Sequence, residues 1–307
     1  MSTAVAGFAA ASGATLGADP LGIPIGSQTY PERQKVADGK FPELMKDMYA
    51  AGIRQIELCS PGYAQFKSLA DGKQTRKIIE DNGLKCISAH FNYNELKSQQ
   101  SQAIEWALAI GMTQMGTASL PSRVMGGVTS LDEVKRAADE YNKIGATAKK
   151  AGLQQFLHNE TLENSKLIDG RLTYPVLLEH LDPDLVKMQF QMSSMRTIGD
   201  PIMYFTLYPG RFISAHVHGV DLEAPPPPAR GMTMPIKPAA PPAGAPAAGR
   251  GRGPGAPAIA IGDDSVDWPK VFAAAKIGGL KNYFIEQEQQ GGWDAMVKGA
   301  AYLKTLN

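Results

Sequence analysis

A short apolar segment followed by an amphipathic helical segment recurs eight times along the chain, and no other sequence feature restricts the fold as strongly. The helical segments carry apolar residues three and four positions apart, as at Leu44 and Met48, which is the spacing of one face of an α-helix. Several end at a glycine such as Gly111, the residue best suited to the left-handed conformation that terminates a helix. The apolar segments, predicted to be strands, are IPIGSQTY, RQIELCS, LKCISAHF, MTQMGTAS, LQQFLHNE, LVKMQFQM, RFISAHVHGV and LKNYFIEQE.

Strict alternation of strands and helices indicates a parallel sheet, and eight strand–helix units predict that the sheet closes into a (β/α)8 TIM barrel. An open, doubly wound sheet is the alternative. It is disfavoured because no G-x-G-x-x-G motif follows a predicted strand, and because polar residues gather at the ends of many strands. We therefore expect an α/β protein with one TIM-barrel domain over residues 21–307.

Two segments do not follow this repeat. Residues 224–258, after the seventh predicted strand, hold 11 prolines, 6 glycines, four basic residues and no acidic one. Such a composition cannot form a core, so we expect a flexible Pro/Ala/Gly-rich insertion whose removal leaves the fold intact. It is either a tolerated surface loop or an arm that covers the site or meets a partner subunit. Without this insertion and residues 1–20, about 250 residues remain, the usual size of one TIM barrel.

The amino terminus leaves the localisation open. Residues 1–18 carry no charged side chain and are rich in Ala, Gly, Ser and Thr. We expect residues 1–20 to be either a disordered tail or the remnant of an export signal without its basic front end. The second interpretation implies an exported or periplasmic protein, and the first a cytoplasmic one.

Charge and composition exclude several classes of partner. The chain has 31 basic and 30 acidic side chains, a net charge of +1, which provides no electrostatic footprint for nucleic acid or an anionic membrane. It has no apolar stretch long enough to predict a transmembrane helix. Its two cysteines, Cys59 and Cys86, cannot form a multi-bridge scaffold and are expected to be buried apolar residues. The expected partner is a small molecule, and the oligomeric state, a homo-oligomer included, stays open.

Ionisable residues gather where the predicted strands end, and in a TIM barrel these ends converge on one site. Four of the five histidines lie there, and only His180 lies in a predicted helix. Two carboxylates and one or two imidazoles on neighbouring strands suit one divalent cation, Mn²⁺, Mg²⁺, Co²⁺ or Zn²⁺. Glu288 shares a face with Glu286 but lies one step further out along the last predicted strand, so it is expected at the rim. The candidate site residues are Tyr30, Glu57, His90, His158, Glu160, Gln191, His216, His218 and Glu286.

The order of these motifs resembles the xylose isomerase-like TIM-barrel superfamily, often described as sugar phosphate isomerases/epimerases. The likeness rests on IELCS, SAHF, LHNE and the segments DPIMYFTLYPGRFISAHVHGVD and GDDSVDWPKVFAAAKIGGLKNYFIEQE, so it spans residues 23–307 apart from the insertion. It implies one divalent metal ion with ligands at the positions of Glu160, Gln191, His216 and Glu286. It also implies that Glu160 and Glu286 act as acid and base.

The sequence departs from the family pattern at two places. Gln191 stands where the family has an aspartate, and its carbonyl brings no charge, so we expect weaker metal binding. His218 and Gly219 stand where the family has a lysine and an aspartate. His218 faces the same side of its strand as His216, so it is a candidate substitute ligand, proton carrier or substrate-binding group.

The resemblance implies a sugar isomerase or epimerase that removes a proton next to a carbonyl and forms an enediolate. His158 is a second candidate base, while Glu57, His90, His218 and Tyr30 are candidate substrate-binding residues. The chain has no phosphate-cradling glycine loop, so an unphosphorylated sugar or keto-sugar is favoured.

Two other functions stay open. One is a lyase of the same fold that cleaves 3-keto-glycosides, and the other is a non-catalytic sugar-binding barrel in which Gln191 marks a lost metal site. An endonuclease of the same fold is disfavoured, because it needs three metals and a richer set of ligands.

Overall fold

A computed structural model describes residues 20–121, 124–125, 127–160, 162, 165–223 and 257–306. Eight parallel strands close into a barrel in the order β1, β10, β9, β8, β6, β4, β3, β2, which confirms the TIM barrel predicted from the sequence. The strands β5 and β7 pair with each other outside the barrel. The strands are β1 (Gly26–Gln28), β2 (Gln55–Cys59), β3 (Lys85–His90), β4 (Gln114–Thr117), β5 (Val128–Thr129), β6 (Gln154–His158), β7 (Lys166–Leu167), β8 (Val186–Gln191), β9 (Phe212–Val217) and β10 (Asn282–Ile285).

The helices lie where the apolar spacing predicts them, with two short additions, α1 and α4. Two helices end at the predicted glycines in the left-handed conformation, Gly111 with φ 87° and Gly279 with φ 75°. Asp200 and Asp267 cap the starts of α8 and α9 by accepting backbone hydrogen bonds. The helices are α1 (Arg33–Ala37), α2 (Phe41–Ala50), α3 (Gly72–Asp81), α4 (Tyr93–Ser98), α5 (Gln100–Ile110), α6 (Leu131–Lys150), α7 (Thr173–His180), α8 (Pro201–Leu207), α9 (Trp268–Gly278) and α10 (Gly292–Leu303).

The hydrophobic core includes apolar side chains from both the strands and the helices around them. Trp106 and Trp268 are buried in it, and the two cysteines are free and buried, as the sequence predicts. The carboxyl ends of the barrel strands instead carry buried polar side chains. In the described part of the chain, no helix combines the length and the apolar character that a membrane span requires.

The predicted amino-terminal segment (residues 1–20) and insertion (residues 224–258) lie almost wholly outside the described residues, which include only positions 20, 257 and 258 of the two. At the end of the insertion, the Ala258 backbone N–H donates to the carbonyl of Gln290 at 2.9 Å. The chain is therefore fixed to the barrel rim from this point onward.

Candidate active site

Most of the predicted site residues lie at the carboxyl ends of barrel strands or just beyond them. His90, His158 and Gln191 end β3, β6 and β8, while His216 is the penultimate residue of β9 and Glu286 directly follows β10. Side chains alternate between the two faces of a strand, so residues two apart, such as His216 and His218, share the inward face. The barrel therefore brings these polar groups together at one end.

Glu57, His216 and Glu286 form a hydrogen-bonded chain across the barrel interior. The Oε1 atom of Glu57 lies 2.5 Å from Nε2 of His216, and Nδ1 of His216 lies 2.9 Å from Oε2 of Glu286. All three side chains are buried, and Glu57 and His216 have no exposed surface at all. The imidazole of His216 thus connects a carboxylate on β2 with one that directly follows β10, and these two strands are not adjacent in the barrel.

The pKa values within this chain follow from burial opposed by charge. Burial alone would lower the pKa of His216, but the carboxylates of Glu286 and Glu57 outweigh it and raise this pKa to about 10. Burial would raise the pKa of Glu57, but the imidazoles of His90 and His216 hold it well below its usual range. The pKa of Glu286 is also lowered, chiefly by His216 acting against burial. These directions favour the protonated form of His216, with a carboxylate facing each ring nitrogen, and a cation bound at Nδ1 would displace the proton on that nitrogen.

A small pocket lies directly above Glu286. The side-chain amide of Gln191 donates from Nε2 to Oε2 of Glu286 at 3.0 Å, the same oxygen that faces His216. Gln191 is buried, and its Oε1 has no hydrogen-bond partner among the described residues. The Asn159 side chain holds the backbone of Gln191 by accepting from its N–H at 2.9 Å. The pocket is lined by Glu160, Gln191, His218, Glu286, Glu288 and Gln289.

Three histidines pack together beneath this pocket. The ring of His158 lies 4.4 Å from that of His216 and 5.1 Å from that of His90, between centroids, and one nitrogen of each ring lies within 4.8 Å of the others. Neither ring nitrogen of His158 has a hydrogen-bond partner among the described residues. Burial lowers the pKa of His158 well below its ordinary value, and His216 and His90 lower it further. His158 is therefore neutral and keeps a lone pair available.

Two residues that the sequence analysis did not single out, Ser88 and Gln189, form hydrogen bonds with the buried side chains of Glu57 and His90. The Ser88 hydroxyl and the Gln189 amide donate to Oε2 of Glu57 at 2.6 and 2.8 Å. The Oε1 atom of Gln189 accepts from Nε2 of His90 at 2.7 Å. Both residues lie two positions before a strand end that carries a candidate, and this inward-facing spacing is the only signal in the sequence that points to them.

The tyrosine predicted to contact substrate lies at the rim with a second tyrosine. Tyr30 is half-buried and packs edge-on against Tyr63, with 6.4 Å between ring centroids. Burial raises the pKa of Tyr30, and the negative charges of Glu288 and Glu160 raise it further against the effect of Arg33. Tyr63 is a residue that the sequence reasoning missed, although it follows the second strand in a loop at the same end of the barrel.

The predicted site residues thus occupy two levels. Glu160, Gln191, His218 and Glu286 line the pocket, and Glu288, expected at the rim, also lines it. Glu57, His90, His158 and His216 lie below it and are buried. Glu57 is buried and contacts four side chains, those of Ser88, Gln189, His216 and His90. It therefore orders other side chains, whereas the sequence suggested that it contacts the substrate.

The donors around Glu286 fit a divalent cation. Oε2 of Glu286 lies 3.0 Å from Nε2 of Gln191 and 2.9 Å from Nδ1 of His216. Glu160 lines the same pocket as Gln191 and Glu286. The buried Oε1 of Gln191, with no described partner, is an oxygen of the kind that hard cations accept. The imidazole nitrogens of His90, His158 and His216 lie within 4.8 Å of one another and form a second group of donors that could hold a cation.

Comparison with solved structures identifies the fold. A sugar phosphate isomerase/epimerase from Parabacteroides distasonis matches with a TM-score of 0.70 and 19% identity, over 96% of each chain. A xylose isomerase-like TIM barrel protein from Mycobacterium smegmatis, crystallised with magnesium, matches with a TM-score of 0.63 and 13% identity, over 92% of this chain and 96% of that one. These likenesses show that the chain has the (β/α)8 TIM-barrel fold of both proteins.

The chain also matches 3-keto-D-glucoside 4-epimerase from E. coli, with a TM-score of 0.58 and 15% identity over 92% of this chain and 99% of that one. No protein-family model and no curated protein sequence matches the chain. At identities this low, the structural likeness establishes the barrel, so residue roles rest on the geometry of the site.

Proposed function

We propose that the protein is a divalent-metal-dependent isomerase or epimerase that acts on a neutral sugar or keto-sugar by moving a proton next to a carbonyl. The observation that carries this proposal is that Gln191 and His216 both contact Oε2 of Glu286, at the pocket that Glu160 also lines. A neighbour of the same fold that was crystallised in complex with magnesium supports a divalent cation as the cofactor.

The metal ligands that we propose are Glu160, Gln191, His216 and Glu286. His218 lines the pocket itself and is the alternative nitrogen donor. The bound cation would polarise the substrate carbonyl and stabilise negative charge on its oxygen. With two carboxylates and the uncharged Gln191, the set carries less negative charge than one with an aspartate at this position.

Proton transfer falls to the carboxylates that face the pocket. Glu160 is half-buried and Glu286 is ionised, so either can accept a proton from the carbon next to the carbonyl. The neutral imidazole of His158 is a further base at the floor of the site, while Nε2 of His90 donates to Gln189 and so belongs to the hydrogen-bond network beneath it. These groups together can remove a proton and return it.

The lining of the pocket favours a substrate without phosphate. Among the described residues that line it, three are glutamates, two are glutamines and one is a histidine. No lysine or arginine among these lining residues offers a counter-charge to a phosphate group. The glutamates would repel the negative charge of a phosphate, whereas a neutral sugar or keto-sugar can form hydrogen bonds with these groups without such repulsion.

Cleavage of 3-keto-glycosides is the second candidate function, and the fold shared with a 3-keto-glucoside epimerase favours it. Its first step is the same removal of a proton next to the keto group. The electron pair of the resulting enolate then forms a carbon–carbon double bond to the anomeric carbon as the glycosidic carbon–oxygen bond breaks, and the departing oxygen takes up a proton. Both reactions therefore need the same carboxylates and differ in the fate of the intermediate.

Product analysis distinguishes the two reactions. The Mn²⁺-loaded protein is incubated with a panel of ketoses and with 4-nitrophenyl 3-keto-glucoside, and products are followed by NMR and by absorbance of free 4-nitrophenol. Epimeric or isomeric sugars with Glu160→Gln inactive support the isomerase, and release of 4-nitrophenol supports the lyase. A folded, metal-loaded protein that converts none of these substrates contradicts both reactions.

A further inference from the structure

We infer that Glu57 is a positioning residue: through its bond to Nε2 it fixes the ring of His216 so that Nδ1 is presented to the cation site. This inference rests on the proposed metal site. Glu57 lies on β2, whereas the proposed ligands lie on or after β6, β8, β9 and β10. It therefore acts on the site only through the side chain between them.

The geometry allows Glu57 to hold the ring in one orientation. A histidine with a carboxylate 2.5 Å from Nε2 keeps a proton on that nitrogen, which leaves Nδ1, 2.9 Å from Oε2 of Glu286, to face the ligands. When a histidine binds a metal ion, such a carboxylate on its other nitrogen fixes the tautomer and increases the basicity of the ligand. Glu57 stands where that carboxylate is needed.

Glu57 is itself held rigidly. Its second oxygen accepts hydrogen bonds from Ser88 and Gln189, and Gln189 Nε2 also lies 3.0 Å from the Ser214 hydroxyl. These contacts leave the carboxylate little freedom to turn away from His216. They also compensate the cost of burying an anion, since an ionised carboxylate without partners is strongly disfavoured in the interior.

Mn²⁺ binding to the purified protein tests this assignment. Isothermal titration calorimetry on Glu57→Gln, which keeps the shape and removes the charge, is expected to show an affinity lower by about 10- to 100-fold. Glu95→Gln is the matched control, because Glu95 is also a carboxylate held by a serine, with Ser60 Oγ at 2.6 Å, and it has no histidine contact in the described chain. Its Mn²⁺ affinity is expected to match the wild type.

A second readout separates positioning from general damage. In ¹⁵N-detected NMR of the Zn²⁺-loaded wild type, His216 is expected to show a proton on Nε2 and a coordinated Nδ1, and Glu57→Gln is expected to lose this single form while its circular dichroism stays native. If Glu57→Gln fails to fold, Ser88→Ala serves instead and is expected to weaken Mn²⁺ binding by a smaller factor.

The outcomes are distinct. Weaker binding in Glu57→Gln, or in Ser88→Ala where that variant is used, with Glu95→Gln unchanged supports the inference. Wild-type affinity in a folded Glu57→Gln, or in the substitute Ser88→Ala, overturns it and leaves the proposed function in place. A wild-type protein that binds no divalent metal overturns the metal site and the inference together.

Discussion

His216 carries its positive charge between two buried carboxylates, and this charge links the stability of the metal-free protein to pH. In the unfolded chain, the pKa of His216 returns to about 6.5, whereas in the fold it is raised to about 10. A raised pKa contributes stability that is fully present below the unfolded value and is lost as the pH rises through the folded one.

We therefore predict that the melting temperature of the metal-free protein falls as the pH is raised from about 6.5 to about 10. Differential scanning calorimetry across this range measures it. The His216→Gln variant is the control, since it lacks the titrating group, and its melting temperature is expected to fall less over the same range. Parallel curves for the two proteins would contradict the prediction.

Gln191 sets the charge of the proposed metal site. We predict that Gln191→Asp binds Mn²⁺ more tightly, on the order of tenfold, because the site gains a carboxylate ligand. The same variant without metal is expected to melt at a lower temperature, since the new carboxylate replaces the hydrogen bond from Nε2 to Glu286 by repulsion. Unchanged Mn²⁺ affinity would mean that Gln191 is not a ligand.

Individual residues show where sequence reasoning stops. The histidines and glutamates at strand ends could be found because the barrel forces those ends together. The hydrogen-bonding partners of these histidines and glutamates could not be predicted, because they depend on which side chains meet across the barrel interior. Glu57 lies on β2 and bonds to His216 on β9, and Gln189 connects His90, Glu57 and Ser214 although a glutamine in a strand carries no distinctive signal.

At the scale of the elements, β4 packs tightly against β6 because Gly116 has no side chain. A Cβ atom at Gly116 would overlap the carbonyl oxygen and the ring of Phe156. We predict that Gly116→Ala destabilises the protein by about 1–3 kcal/mol, as expected for overpacking. Gly127→Ala is the control, since nothing lies within 4 Å of its added Cβ, and chemical denaturation compares the two. Equal stabilities of the two variants would contradict the close packing.

The barrel strands and most of the helices could be predicted because each carries a regular apolar pattern and several helices end at a glycine. The pair β5 and β7 could not. Each contains two residues, too few for a pattern, and they pair because the loops that follow β4 and β6 leave neighbouring strands. The short α1 and α4 were likewise missed, since five or six residues do not establish a helical period.

For the whole molecule, the described barrel accounts for the fold without the Pro/Ala/Gly-rich insertion. We predict that replacing residues 224–256 by a short Gly/Ser linker leaves the melting temperature close to that of the wild type. Ala258 is retained because its N–H bonds to Gln290. An insoluble or unfolded variant would show that the insertion is part of the stable fold, and unchanged turnover in a folded one would show that it is a tolerated loop.

The proposed activity of the whole molecule is proton transfer next to a carbonyl by carboxylates at a metal site. Solvent exchange measures this step directly: the Mn²⁺-loaded protein is incubated in deuterated water with ketoses and 3-keto-glucosides, and deuterium at the carbon next to the carbonyl is followed by NMR. We predict metal-dependent exchange on at least one substrate, lost in Glu160→Gln and Glu286→Gln. Equal exchange in the wild type and both variants, or no exchange with a bound metal and a bound sugar, would contradict it.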